Sequence, residues 1–153
     1  MRVLLIDDHE VIWSGMRGVV GRLAGQLRPE LPFEWHCARD LREALAVEAA
    51  ALDLILLDYH LPDCDCVSAL HALRERHDAA PIVVVSGDLQ PERIRRTIEA
   101  GAAGYVPKAM PEAGWSKCRS GENSTRHSVL KAGSAQRKLA SSTGMRRPTS
   151  QQA

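Results

Sequence analysis

The chain lacks the marks of several large classes of protein. No apolar run in its 153 residues approaches the roughly 20 residues of a membrane-spanning helix. Met1-Arg2 passes straight into a short strand-like run, without the longer apolar region and small-residue cleavage site of a secretory signal, so a cytoplasmic location is expected. Cysteine is scarce. Cys37, Cys64, Cys66 and Cys118 follow neither a disulfide-framework nor a zinc-finger spacing, and Cys64-x-Cys66 has no well-placed histidine to complete a metal site. No internal repeat is present. The length suits one domain with a proper core and room for a tail.

The net charge of +1 hides a division. Residues 1–108 carry 12 Lys/Arg against 17 Asp/Glu, whereas residues 109–153 carry 8 against 2, so an acidic globular part precedes a basic tail. The tail is rich in Ser, Thr, Gly, Lys and Arg. Trp115 is isolated in it and no apolar period persists, the composition of a disordered segment.

The acidic part alternates strand and helix. Leu54-Ile55-Leu56-Leu57 is an uninterrupted apolar run that ends in Asp58, and Pro62 forbids its continuation. Such a run reads as a strand buried on both faces of a parallel sheet. Val3 to Ile6 is a second, ending in Asp7-Asp8, and Pro81 to Gly87 another, finishing in the polar Ser86. Phe33 to Ala38 passes as a strand nearer the sheet edge, and Tyr105-Val106 is a short last strand closed by Pro107-Lys108.

Helical spacing covers His9 to Ala24, with Val11 or Ile12, Met16, Val19, Val20 and Leu23 on one side. There Gly15, Gly18 and Gly21 weaken the helix unless close packing on the sheet uses them. A capping-box-like Asp40…Glu43 opens a helix over Leu41 to Ala50. Further helices are expected from about Cys66 to His77, with Val67, Leu70 and Leu73 on one face, and from Pro91, with Ile94 and Ile98 as its stripe. Five strands with intervening helices imply an α/β fold, a parallel sheet with helices on both faces.

In such a sheet the strand-ending residues share one rim, where ligands bind. This rim receives Asp7, Asp8, Asp58, Ser86 and Lys108. Clustered carboxylates repel one another, and a divalent cation resolves the conflict; oxygen ligands with room for water suit Mg²⁺. A hydroxyl and an ammonium facing acids are what an incoming phosphoryl group needs, and one carboxylate can act as nucleophile and become an acyl phosphate. Singly, each has a plainer reading: Asp8 as a helix N-cap, Ser86 as a turn residue, Lys108 as a surface lysine, Tyr105 as a half-buried core aromatic. Asp58 is the hardest to dismiss, because an acid at the end of a buried strand needs a partner.

Residues 1–108 resemble the receiver domain of bacterial two-component response regulators. Ile6-Asp7-Asp8-His9 and Gly104-Tyr105-Val106-Pro107-Lys108 are most similar to the NarL/LuxR-type subfamily. The resemblance implies a flavodoxin-like, doubly wound five-stranded sheet of order 2-1-3-4-5. It implies Asp58 as phosphoacceptor, with Asp8 binding Mg²⁺ directly, Asp7 through water and the His60 backbone carbonyl completing the site. Ser86 would be the switch hydroxyl, Lys108 the partner of the phosphoryl oxygens, and Tyr105 the aromatic that swings inward as Ser86 moves. A sensor histidine kinase would be the partner and phosphoryl donor. A homodimer stays open, and the chain would catalyse only its own phosphorylation and dephosphorylation. The surface of the fourth helix and fifth strand, with Arg93, Arg96 and Tyr105, would change its partner affinity.

Two features depart from that pattern. Cys66 stands where the loop after the phosphoacceptor has a glycine in the family, and if the position requires positive φ the cost is roughly 1 kcal/mol. The residues after Lys108 do not read as the family's fifth amphipathic helix, whose loss would expose an apolar strip on the sheet. Nor do they read as a helix-turn-helix, so DNA is not an expected partner by that route. The alternatives are a truncated or frameshifted DNA-binding regulator, and non-specific nucleic-acid binding through the basic tail. An Mg²⁺-dependent aspartyl phosphatase is a third, but it wants a second acid where His60 stands.

Overall fold

The computed structural model describes residues 1–48 and 51–108. The expectations placed on residues 109–153, from the disordered tail to the missing fifth helix and nucleic-acid binding, lie outside them. The elements run β1 (Arg2–Ile6), α1 (Glu10–Leu27), β2 (Glu34–Ala38), α2 (Leu41–Ala46), β3 (Leu54–Asp58), α3 (Cys66–Arg76), β4 (Ile82–Ser86), α4 (Pro91–Glu99) and β5 (Gly104–Pro107). All strand pairings are parallel, in the order β2-β1-β3-β4-β5. The expected order is the observed one, with β2 at an edge.

Alternation along the strands divides the core in two. Leu4, Ile6, Ile55, Leu57, Ile82 and Val84 point to the face where Ala44 of α2 and Ala69, Leu70 and Leu73 of α3 pack, with Ile94 and Ile98 of α4 partly covered. Val3, Leu5, Leu56 and Val85 point the other way, onto Met16 and Val20 of α1. Each fully buried aliphatic side chain contributes about 1.5–3 kcal/mol, and these strands carry little else.

Several helical details differ from the sequence reading. The buried stripe of α1 is Met16, Val20 and Ala24, whereas Val11 is almost wholly exposed. Of its glycines, Gly21 alone has a packing reason: a Cβ there would stand 3.3 Å from the Phe33 ring, while Gly15 faces open space. Helix α2 ends at Ala46, because Val47 takes an extended backbone. Its Asp40 side chain caps the Glu43 N–H at 2.7 Å, but the Glu43 carboxylate turns to the backbone N–H and guanidinium of Arg39, not to Asp40. On α3 the buried positions are Cys66, Ala69, Leu70 and Leu73, with Val67 only partly covered. The buried residue of α4 is Thr97, whose hydroxyl donates to the carbonyls of Arg93 and Ile94.

The turn from α4 into β5 requires glycine. Gly101 has φ +99°, and a Cβ there would collide with the Arg74 guanidinium, which donates to the Gly101 carbonyl at 3.0 Å.

Candidate functional site at the carboxyl edge of the sheet

Backbone ladders continue one residue past several strands and set the rim. Asp7 N–H donates to Ala38 O at 3.0 Å, Tyr59 N–H to Val85 O at 3.0 Å, and Lys108 N–H to Ser86 O at 2.8 Å. Asp7, Asp58 and Lys108 are thereby held at the carboxyl ends of β1, β3 and β5, with β4 between the last two. The Lys108 ammonium reaches across β4 to lie 2.8 Å from Asp58 Oδ2 and 2.7 Å from Asp7 Oδ2. Both carboxylates are buried, and Asp7 Oδ2 meets the ammonium as an ion pair without hydrogen-bond geometry. Burial pushes the Asp58 carboxyl above its ordinary range; the Lys108 hydrogen bond opposes this, and the charge of Asp7 adds to it. Burial works against the Lys108 charge, but Asp58 and Asp7 outweigh it and hold the ammonium above the usual lysine range.

Asp8 is exposed and is not a helix cap. His9 occupies that position on α1, without a capping side-chain bond. The His9 Nδ1 instead lies 2.7 Å from Asp8 Oδ1 and 3.3 Å from Asp7 Oδ1, and its backbone N–H donates to Asp7 Oδ1 at 2.9 Å. The Trp13 indole N–H secures the Asp7 carbonyl at 2.9 Å. Ligand atoms of Asp7, Asp8, His9 and Asp58 all lie within 4.8 Å of one another, a group that could hold a metal ion.

Ser86 and Tyr105 sit beside this cluster. Ser86 is buried at the end of β4, and its hydroxyl accepts from the Asp88 N–H at 3.1 Å. Tyr105 is buried too, so it contributes no surface, contrary to the reading that placed it on the outer face; its hydroxyl donates to the Asp88 carbonyl at 2.6 Å. Arg93 of α4 pairs with Asp88 Oδ2 at 3.1 Å, stands 3.2 Å from His60 Nε2 and lies 5.0 Å over the Tyr59 ring. The sequence reading missed His9 as a site residue and the Asp88–Arg93 pair. His9 closes the Ile6-Asp7-Asp8-His9 motif, where it was given no role, but Arg93 is joined to Asp88 only by the turn into α4.

The loop after Asp58 carries no strain at Cys66. That residue opens α3 under the Asp65 cap, and among the described residues Gly101 alone has positive φ. Burial pushes the thiol of Cys66 up to about 12 and that of Cys64 to about 11, so neither is a ready thiolate ligand or nucleophile. They line a cleft of about 170 Å³ with Tyr59, His60 and Arg96, beside the rim and without Asp7, Asp8 or Asp58.

Residues 3–114 match the family described as the response regulator receiver domain. The chain belongs to the response regulator receiver family. Its relatives include the nitrate/nitrite response regulator protein NarL of Escherichia coli, 29% identical over 71% of this chain and 48% of NarL. The DNA-binding transcriptional activator DevR/DosR of Mycobacterium tuberculosis is 35% identical over 71% of this chain and 48% of its own length. The chain therefore spans about half the length of these NarL-type relatives. A Burkholderia pseudomallei response regulator, solved with a phosphorylated aspartic acid, a calcium ion and citrate, superposes with a TM-score of 0.56 at 26% identity, over 73% of this chain and 62% of that one. Receivers of this family are signalling domains of two-component systems. No helix among the described residues is long and apolar enough to cross a membrane.

Proposed function

We propose that this receiver accepts a phosphoryl group on Asp58 from a phosphohistidine of a sensor histidine kinase, and passes the change to the surface of α4. The observation that carries the reading is the Lys108 ammonium held between Asp58 and Asp7. In the transfer, an Asp58 carboxylate oxygen attacks phosphorus and the donor N–P bond breaks. The electron pair returns to the donor imidazole, and a mixed anhydride is left on Asp58. Lys108 supplies an N–H donor to the transferred oxygens, and the Ser86 hydroxyl a second once it leaves Asp88. The phosphorylated aspartic acid of the Burkholderia relative supports this assignment by analogy.

The donor set fits Mg²⁺. Asp7 Oδ2 is buried without a hydrogen bond, and carboxylate oxygens of Asp7, Asp8 and Asp58 converge. These residues, with the His60 backbone carbonyl, would hold the ion. When bound, it supplies positive charge that offsets the charge of phosphate and carboxylates together.

Switching follows from the contacts of Asp88. Turning Ser86 toward a phosphoryl group breaks its bond to the Asp88 N–H, and Asp88 also anchors Tyr105 and Arg93. The loop and the first turn of α4 then exchange one set of partners for another, a population shift biased by added negative charge. Arg93 and Arg96 are the residues whose exposure would change for a downstream partner.

Incubation with acetyl phosphate and Mg²⁺ tests the reading by intact mass. The wild type is expected to gain one phosphoryl group and Asp58→Ala none. Stoichiometric uptake by the variant would refute the assignment.

A further inference from the structure

We infer that His9 is a nitrogen ligand of the cation site, and that it shifts the site's preference from Mg²⁺ toward first-row transition ions, Mn²⁺ among them. The inference rests on the acid cluster being a cation site, as proposed above. His9 Nδ1 is 2.7 Å from Asp8 Oδ1 and 3.3 Å from Asp7 Oδ1. Around an octahedral ion with bonds of about 2.1 Å, adjacent ligand atoms stand about 3.0 Å apart. The two observed distances bracket that value, so an ion bridging Asp7 and Asp8 would find the imidazole already at ligand distance.

The position of His9 is fixed from below. Its backbone N–H is tied to the Asp7 carboxylate, and the Asp7 carbonyl is tied to Trp13, so the Cα from which the ring projects is held beside the acids. The ring itself is two-thirds exposed, free of a packing role that would explain its place over two acids. Without an ion, Nδ1 donates to the carboxylate 2.7 Å away; in the Nε2–H tautomer the same nitrogen turns a lone pair to an ion bridging the two acids. A nitrogen among oxygens strengthens binding of first-row transition ions, least at Mn²⁺ and increasingly along the series, more than that of Mg²⁺, which favours oxygen alone.

The test uses the full chain without an affinity tag, loaded with Mn²⁺ and read by electron spin-echo envelope modulation, with calorimetric titration of Mn²⁺ and Mg²⁺ in parallel. Wild-type protein is expected to show nitrogen hyperfine modulation that His9→Ala abolishes. The same substitution is expected to weaken Mn²⁺ by about tenfold, the lower end of the loss of a metal-site partner, and Mg²⁺ by less than about threefold. Mn²⁺ bound without nitrogen modulation in the wild type overturns the inference, as does equal gain or loss of both ions in His9→Ala, the behaviour of a mere counter-ion. Failure of the wild type to bind either ion, or binding unchanged by Asp58→Asn, overturns the cation site itself and is distinguishable from both.

Discussion

Lys108 and Asp58, fifty residues apart in sequence, meet at 2.8 Å across the strand that separates them. The contact joins the last strand of the sheet to the central one, and its second arm reaches Asp7 on β1. One ammonium is thus shared by two buried carboxylates on the unphosphorylated rim, and one negative charge is left over. Any cation or phosphoryl group that enters must share or displace the ammonium.

Replacing Lys108 by Met leaves both carboxylates facing each other without a counter-charge. Stability at neutral pH is expected to fall by about 3 kcal/mol, the scale of a broken buried pair, and to be partly restored by Mg²⁺. Urea denaturation with and without the ion checks both. An unchanged midpoint would mean that the pair is incidental.

Arg93 ties α4 to the turn before it and to the loop after Asp58. Arg93→Ala is expected to speed amide hydrogen exchange at Asp88 to Gln90 while lowering global stability by no more than about 1 kcal/mol, because the Asp88 pair is about one-third exposed. Exchange mass spectrometry should show the change confined to this loop and the first turn of α4.

Two glycines should respond in opposite directions. Gly101→Ala is expected to cost more than about 1 kcal/mol, since it adds a strained φ to a collision with Arg74. Gly15→Ala, in open space on α1, is expected to gain up to about 1 kcal/mol from helix propensity. Thermal denaturation of the two variants gives the signs directly.

His77 supplies a pH dependence. Burial first, and then the charge of Arg76, hold its imidazole below the ordinary 6.5, and its Nε2 is buried without a partner. The folded form binds this proton less readily than the unfolded chain. Its contribution is therefore complete above 6.5 and is lost as pH falls through that value toward the lower folded one. A His77→Gln variant should show a shallower fall in denaturant midpoint just below pH 6.5; an identical fall would assign the dependence to the carboxylates.

The sheet and its rim were legible because apolar runs that stop at Asp7, Asp58 and Ser86 can end in one place only, the carboxyl edge of a parallel sheet. The resemblance to receivers added strand order, which periodicity does not carry. Residues whose partners lie across loops were not legible. Glu43 is spaced to cap Asp40 but finds Arg39, which offers a charge as well as an N–H. Tyr105 reads as a half-buried aromatic, and the sequence does not show that its hydroxyl is taken by Asp88 O, seventeen residues earlier. Val11 and Ile12 are interchangeable by composition, and only the roll of α1 on the sheet exposes the first and covers the second.

Borohydride reduction of the protein after acetyl phosphate treatment, followed by peptide mass spectrometry, tests the central claim most directly. An acyl phosphate is reduced to an alcohol, so residue 58 is expected to appear as homoserine, with Asp7 and Asp8 unchanged. Homoserine at either of those positions, or at none while the phosphoryl group is present, would contradict Asp58 as the acceptor.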